Sequence, residues 1–473
     1  MPFPFTLPTT SSVLLTDHFS SPTHPALPLA ASTHRSLVKD ALKKHKRLPP
    51  ADRPAHLPIV YDALSSYLPY LLTLHTPPPH VSIQHNPQRP FEVEWRCTLT
   101  PHPPLREPPR PRLRGLTADL IFISATLAYT HTLLARTQLQ PLHESTLASA
   151  SLAPEQRSAA ISNAVKHLLL AHAIHTYLAH LPFPYQQSLP DLKQAHQTSP
   201  IDIHPQTHAS LASLSWSEAT LLIPSTDDPY AAAAAAAANA HDTDWMFRSP
   251  PPPKKVRAHL FARLCLAAAE HAGRAEAGLK DTGGGGGGIR RYAGDLRRTA
   301  RGRAARWLGL DAEGAGRTGE AIAWCRGGRW EVGYSNSASS SSKTGGVASS
   351  KPSAAALKSG MLWGLDAGRG DEARVLKMLE TKWERENAAV NVQAIPAYEP
   401  LMAGRMPSGR EYHTAMPWEP RGLEEEILEG LRSPAGSGGA GWRGEEEDSG
   451  GEEGIRGSGV GMGFSGGGVG GYY

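Results

Sequence analysis

The sequence predicts a mainly α protein with a small N-terminal β-hairpin, and three observations indicate this class. Apolar residues recur at i and i+3 or i+4 over most of the 473-residue chain, which is the helical period. The two-residue period of a strand occurs around residues 81–97. At 254–280 large and small apolar residues alternate, which lets helices approach closely, as in stacked helical-pair repeats. We therefore expect stacked helical hairpins beside a small sheet.

Prolines delimit the first two predicted helices. After a proline-rich lead-in, Ser32 opens a helix at 32–47, which a pair of prolines stops. Its core face is expected to carry Leu37, Ala41 and Leu42, with Lys, His and Arg side chains opposite. A second helix is predicted at 57–74, with Pro69 as a kink inside it.

Beyond the prolines at 77–79, alternating apolar residues predict a β-hairpin. Positions 81 and 83 are apolar, a turn is predicted at 86–88, and positions 91, 93, 95 and 97 are apolar again. Because side chains alternate across a strand, this pattern gives one buried face. We expect this hairpin to be the only sheet.

The rest of the folded chain is predicted to be helical. The expected helices are 117–138, 155–181, 204–222, 254–280, 290–308, 316–327 and 357–387, and an eight-alanine run at 231–238 also favours helix. Glycine-, serine- or proline-rich stretches predict disordered insertions near 225–253, 281–289 and 335–352. We expect one domain at 1–420 and an acidic, glycine-rich, disordered tail at 421–473.

The net charge of +4 hides an uneven distribution of charge. Residues 254–306 hold thirteen Lys or Arg against four Asp or Glu, whereas the chain from 421 holds four against ten. Three readings stay open for the basic stretch: a solvated face, contact with an acidic protein, or contact with an acidic membrane surface. Its candidate residues are Arg290, Arg291, Arg297 and Arg298. Nucleic acid is not expected, because stacking aromatic residues are scarce there.

The sequence predicts that the protein is cytoplasmic. Its first residues have no basic region before an apolar run, so no secretory signal is expected. The most apolar stretch, 120–135, is interrupted by polar residues, so no membrane span is expected. Three widely spaced cysteines suit a reducing compartment.

No motif for catalysis, metal or cofactor stands in a suitable context. The twenty-two histidines include no His-Glu-x-x-His pair and no Cys/His set at ligand spacing. Ser465 lies in a Gly-x-Ser-x-Gly match, but the glycine-rich tail around it offers no strand–turn–helix. We therefore predict a protein that is not an enzyme and needs no cofactor.

Four stretches, in this order, resemble the BRO1-domain family. They are FEVEW at 91–95, AVKHLLLA at 164–171 with its continuation to Leu178, GRTGEAIAW at 316–324, and a closing stretch that contains WEREN at 383–387, VNVQ at 390–393 and PSGRE at 407–411. The stretches 7–12, 32–50 and 407–413 are similar to a fungal subfamily of pH-response regulators. The resemblance covers about residues 1–420.

The resemblance implies a fold, a partner and a role. The fold would be an elongated, curved helical domain that holds the C-terminal amphipathic helix of the ESCRT-III subunit Vps32 (Snf7) in a groove. Leu170, Ile174 and Leu178 would line that groove, although the alternative that they belong to the core stays open.

The implied role is that of a scaffold in ambient alkaline-pH signalling, recruited to plasma-membrane or endosomal sites. There a protease of the pathway would process a zinc-finger transcription factor. The alternative is a tetratricopeptide-like adaptor that binds an acidic partner or a receptor tail through residues 254–306.

Overall fold

Helices dominate the structure, and prolines begin several of them. The computed structural model describes residues 2–100, 107–147, 153–181, 200–226, 228, 230, 255–281, 287–333 and 364–432, which lie in one unit, Met1–Arg432. Pro28, Pro54, Pro154 and Pro205 each occupy a first-turn position, where a missing N–H costs no hydrogen bond. The helices are α1 (Leu27–Arg47), α2 (Arg53–His75), α3 (Leu116–Leu147), α4 (Pro154–His180), α5 (Pro205–Leu222), α6 (Lys255–Asp281), α7 (Gly287–Gly314), α8 (Thr318–Glu331), α9 (Arg369–Glu386), α10 (Tyr398–Gly404) and α11 (Glu425–Gly430).

From α1 to α9, each helix packs mainly against the helices before and after it in sequence. This local pattern is typical of stacked helical hairpins, so the predicted mainly α class is confirmed. Helix α3 is long and apolar enough over Leu116–Leu142 to cross a membrane, but 89% of the tested window is buried in the fold. Such burial is how a central core helix behaves.

The described strands form two separate antiparallel pairs rather than the predicted hairpin. Strand β1 (Phe19–Ser20) pairs with β2 (Gln84–His85), and β3 (Glu92–Glu94) pairs with β4 (Arg112–Arg114). The alternation around 91–97 was predicted correctly, because positions 91, 93, 95 and 97 are all buried. The pairing was wrong, because β2 pairs with β1, which lies before α1 and α2, and β3 pairs with β4, which follows it along the chain.

A buried carboxylate, Asp119 of α3, joins the N-terminal elements. It accepts hydrogen bonds from Arg35 Nε of α1 (3.2 Å), Tyr67 Oη of α2 (3.0 Å) and Trp95 Nε1 beyond β3 (2.8 Å). Arg35 also donates to the Ser11 carbonyl oxygen, 2.9 Å away. The core around α1, α2 and α3 is thus fixed by directional bonds as well as by apolar packing.

Three predicted segments differ from the described structure or lie outside it. The alanine run at 231–238 and the stretch 334–363 lie outside the described residues. Helix α9 begins at Arg369, after Gly368 in a left-handed conformation (φ 76°), rather than at 357. At the C-terminal end the packed chain continues to Arg432, with Leu428 of α11 buried.

Candidate partner-binding surface

The three apolar residues predicted to line a groove differ in exposure along α4. Leu170 is 44% exposed, whereas Ile174 and Leu178 are each 1% exposed and belong to the main core. Four residues of α-helix turn the chain about 40° past a full circle, so each step of four rotates the stripe further from the surface. Ile174 and Leu178 therefore support α4 from beneath, and Leu170 alone of the three is accessible to a partner.

Tyr177 extends the accessible face of α4 beyond Leu170. It lies two turns further on the same face and is half-buried, because Trp418 packs edge-on against its ring, with centroids 5.1 Å apart. Lys166 and Asn163 continue the exposed stripe in the other direction. The surface is thus an apolar patch with a polar N-terminal end.

Trp418 belongs to the closing segment, residues 405–424, which crosses several helices. The segment begins with Arg405 at 3.4 Å from Glu320 of α8, and on α6 the Arg410 N–H donates to the Arg263 carbonyl oxygen (3.1 Å). It reaches α4 at Trp418, and then α2, where the Leu423 N–H donates to Thr73 Oγ1 (2.9 Å). The closing segment therefore contacts α2, α4, α5 and α6, which lie far from it in sequence.

The PSGRE motif supplies the anchor of the closing segment. A Cβ atom on Gly409 would lie 2.8 Å from the Ala267 backbone nitrogen, so only glycine fits without a shift. Glu411 accepts hydrogen bonds from Trp216 Nε1 (2.9 Å) and His271 Nε2 (2.7 Å). The family resemblance identified this motif in the sequence, but it could not show which residues the motif contacts.

The pKa values at this anchor fit a neutral histidine facing an ionised carboxylate. Burial alone would raise the pKa of Glu411, but the hydrogen bonds from Trp216 and His271 outweigh it and lower that pKa. Burial lowers the pKa of His271, although Glu411 opposes the shift. The contact is therefore a hydrogen bond to a carboxylate and needs no charge on His271 near neutral pH.

The GRTGEAIAW and VNVQ motifs pack on each other at the start of α8. Gln393 Nε2 donates to the Gly316 carbonyl oxygen (2.8 Å), and Gln393 Oε1 accepts from the Gly319 N–H (3.1 Å). A Cβ atom on Gly319 would overlap the Ala394 carbonyl oxygen, so glycine is required there too. These motifs fix the end of the helical stack.

The basic stretch 254–306 is paired in part with carboxylates, some of them on other helices. Arg306 is fully buried between Asp228 (2.6 Å) and Glu372 of α9 (2.6 Å). Of the four candidate arginines, Arg297 lies 3.1 Å from Glu276, and Arg291 lies 4.0 Å from Asp295. Carboxylates of α8 and α9 thus offset part of the charge excess counted in the sequence, while Arg290 is half-buried and Arg298 is exposed.

Within the described residues, no three His, Cys, Asp or Glu side chains converge to hold a metal. Cys97, Cys265 and Cys325 are buried and unpaired, and burial raises the thiol pKa of each. Ser465 lies outside the described residues. What the described surface offers is contact area for another macromolecule.

The fold resembles solved BRO1 domains. A structure titled "ALIX BRO1 CHMP4C complex" matches with a TM-score of 0.53 at 12% identity, over 88% of this chain and 95% of that chain. ALIX in complex with the SIVmac239 PYKEVTEDL late domain matches with a TM-score of 0.52 at 13% identity, over 89% of this chain and 49% of that longer chain. No family model matches the sequence. The chain therefore has the fold of BRO1 domains, as the short motifs indicated.

A sequence relative narrows this class. The pH-response regulator protein palC of Emericella nidulans is 39% identical over 92% of this chain and 92% of its own length. The chain therefore belongs to the palC family of pH-response regulators.

Proposed function

We propose that this protein is a non-catalytic scaffold of alkaline-pH signalling that binds the C-terminal helix of the ESCRT-III subunit Vps32 on the outward face of α4. One observation carries the proposal: Leu170 is 44% exposed on a buried core helix, on the same face as the Tyr177–Trp418 pair. An amphipathic helix would cover such a patch with its apolar stripe. The complex of a BRO1 domain of this fold with CHMP4C supports the same kind of partner here.

The geometry suits a preformed site rather than one that folds on binding. Ile174 and Leu178 fix α4 in the core, and the closing segment fixes Trp418. A rigid apolar surface loses little conformational entropy when a helix docks on it. In the cell the scaffold would work at plasma-membrane or endosomal sites, where it supports proteolytic activation of the pathway's zinc-finger transcription factor.

The test is binding of a fluorescent Vps32 C-terminal peptide to the full chain, followed by anisotropy. Leu170→Asp is expected to weaken binding at least ten-fold, because it removes about 1 kcal/mol of apolar burial and places a charge against an apolar stripe. The thermal unfolding midpoint should stay unchanged, since position 170 is outside the core. Unchanged affinity in this variant would refute the proposed surface.

Two further variants make the result interpretable. Ile59→Asp changes an isoleucine of similar exposure on α2 and should leave affinity unchanged. Ile174→Asp charges a core position and should lower thermal stability and binding together. A peptide that fails to bind even the unaltered chain would refute Vps32 as the partner.

The pathway role has its own readout. In cells shifted to alkaline medium, immunoblotting of the transcription factor should show less processed product with Leu170→Asp than with Ile59→Asp. Equal processing with both variants would separate the α4 surface from the signalling role.

A further inference from the structure

The exposed face of α1 carries leucines at one end and cations at the other. The sequence placed Leu37 on the core side of this helix, but it is 54% exposed, and Leu29 is 62% exposed. Around the helix axis, both leucines lie within about 40° of Thr33, and Lys44 lies about 20° from Thr33. Leu14, in the segment that runs beside α1, is also exposed. These three leucine side chains face solvent rather than the core.

The cations at the C-terminal end of α1 form no ion pairs with carboxylates of the described chain. No carboxylate of the described chain lies within 4.0 Å of the charged groups of Lys43, Lys44, Lys46 or Arg47. Lys39 pairs only with its sequence neighbour Asp40, 3.3 Å away. Unlike Arg35 and Arg306, which face buried carboxylates, this cluster is an unbalanced positive surface.

Neighbouring segments add to the positive charge. Partial burial lowers the pKa of Lys46, and the nearby charges of Arg96, Arg110 and Arg47 lower it further, against an opposing effect of Glu107. The helix dipole stabilises cations in the last turn of α1. The cations there nevertheless repel one another, because they carry like charges. An anion seated among them would relieve this repulsion.

The surface beside these cations is concave. A depression of about 520 Å³ is lined by Lys39, Asp40, Lys43, Lys44, Arg47 and Leu48. Flexible lysine side chains can reach anionic groups in several positions around such a depression.

We propose that the exposed face of α1 binds an anionic lipid membrane. The leucines and cations extend over about 27 Å of helix axis at 1.5 Å per residue, which suits a surface better than a single small ligand. Three of the four unpaired cations are lysines, which act as point charges, whereas carboxylate recognition in proteins favours the bidentate fork of arginine. Exposed leucines would enter the headgroup region beside the lysines, as in helices that lie in a membrane interface.

The membrane contact that the sequence left open for residues 254–306 is thus assigned to α1 instead. This surface is separate from the Vps32 surface on α4. The test is co-sedimentation of the full chain with vesicles of phosphatidylcholine containing about 30% phosphatidylserine, compared with pure phosphatidylcholine. Each exposed cation near an anionic surface strengthens partitioning roughly five-fold. The triple variant Lys43→Ala/Lys44→Ala/Arg47→Ala should therefore partition about 100-fold more weakly, and raised salt should weaken the unaltered chain.

A matched control removes the same number of charges from the stretch with the larger sequence excess. Arg290→Ala/Arg291→Ala/Arg298→Ala should leave vesicle binding within about two-fold of the unaltered chain, because these arginines lie on α7, outside the proposed α1 surface, and Asp295 faces Arg291 and Arg298. Leu29→Ser/Leu37→Ser should weaken binding to anionic vesicles without changing its salt dependence.

Three results would overturn the proposal. The first is no preference for phosphatidylserine, and the second is an equal loss of binding in the α7 triple variant. The third is binding of a polyglutamate peptide or a single-stranded RNA at this face without vesicle binding, which would assign the cations to an acidic protein or to nucleic acid. Thermal unfolding of each variant checks that these exposed substitutions leave the fold intact.

Discussion

Asp119 offers a sharp test of how the N-terminal core is held. Its carboxylate is fully buried, faces the equally buried Arg35, and accepts hydrogen bonds from Tyr67 and Trp95. Asp119→Asn keeps the shape but removes the charge, so Arg35 stays buried without its counter-charge. Breaking one partner of a buried ion pair costs about 3–5 kcal/mol. We therefore expect the free energy of unfolding to fall by about 4 kcal/mol.

Urea unfolding followed by circular dichroism measures this loss, and two graded controls calibrate it. Tyr67→Phe removes one donor from the same carboxylate and should cost about 2 kcal/mol, the size of a hydrogen bond to a charged group. Arg112→Ala breaks an exposed pair with Glu94 and should cost less than about 1 kcal/mol. If Asp119→Asn cost no more than Tyr67→Phe, the charge on Asp119 would not stabilise the core and the reasoning would fail.

Three further predictions concern the rest of the stack. Arg306→Ala should cost about 3–5 kcal/mol in urea unfolding, because it removes the buried cation that faces Asp228 and one of the two arginines that face Glu372. Burial lowers the pKa of His131 and His208 to about 3, against 6.5 when unfolded, so the unfolded chain binds more protons between those values. Stability should fall as pH falls below 6.5, by up to about 1.4 kcal/mol per pH unit per histidine, and a flat profile down to pH 5 would contradict this. Gly409→Val should lower the thermal midpoint, because its Cβ would meet the α6 backbone, whereas Gly404→Val, with open space around it, should not show this steric loss.

Local signals in the sequence were enough to predict most helices. The apolar period and the prolines that begin or end helices depend on residues a few positions apart, so they can be read without tertiary structure. They predicted α4, for example, to within one residue at each end. They could not predict that Leu37 is exposed, because its position on α1 would suit the core if a further element covered that face.

Pairings between distant residues could not be predicted. Phe19 lies opposite His85, and Glu372 neutralises Arg306, yet no local pattern links either pair. The same limit explains the basic stretch, since counting charges along the chain ignores carboxylates supplied by other helices. Burial of Ile174 likewise depends on the helices packed against α4, which the spacing of apolar residues does not identify.

The closing segment connects the partner-binding surface to the stability of the stack. Trp418 completes the apolar patch on α4, but its position depends on Glu411 at α6 and on the Leu423 bond to α2. Since these anchors lie on different helices, a change at Gly409 would displace the segment from α6 and disturb Trp418 without touching Leu170. The accessible face of α4 is therefore a product of both halves of the chain, and a fragment that ends before the closing segment would present Tyr177 without its aromatic partner.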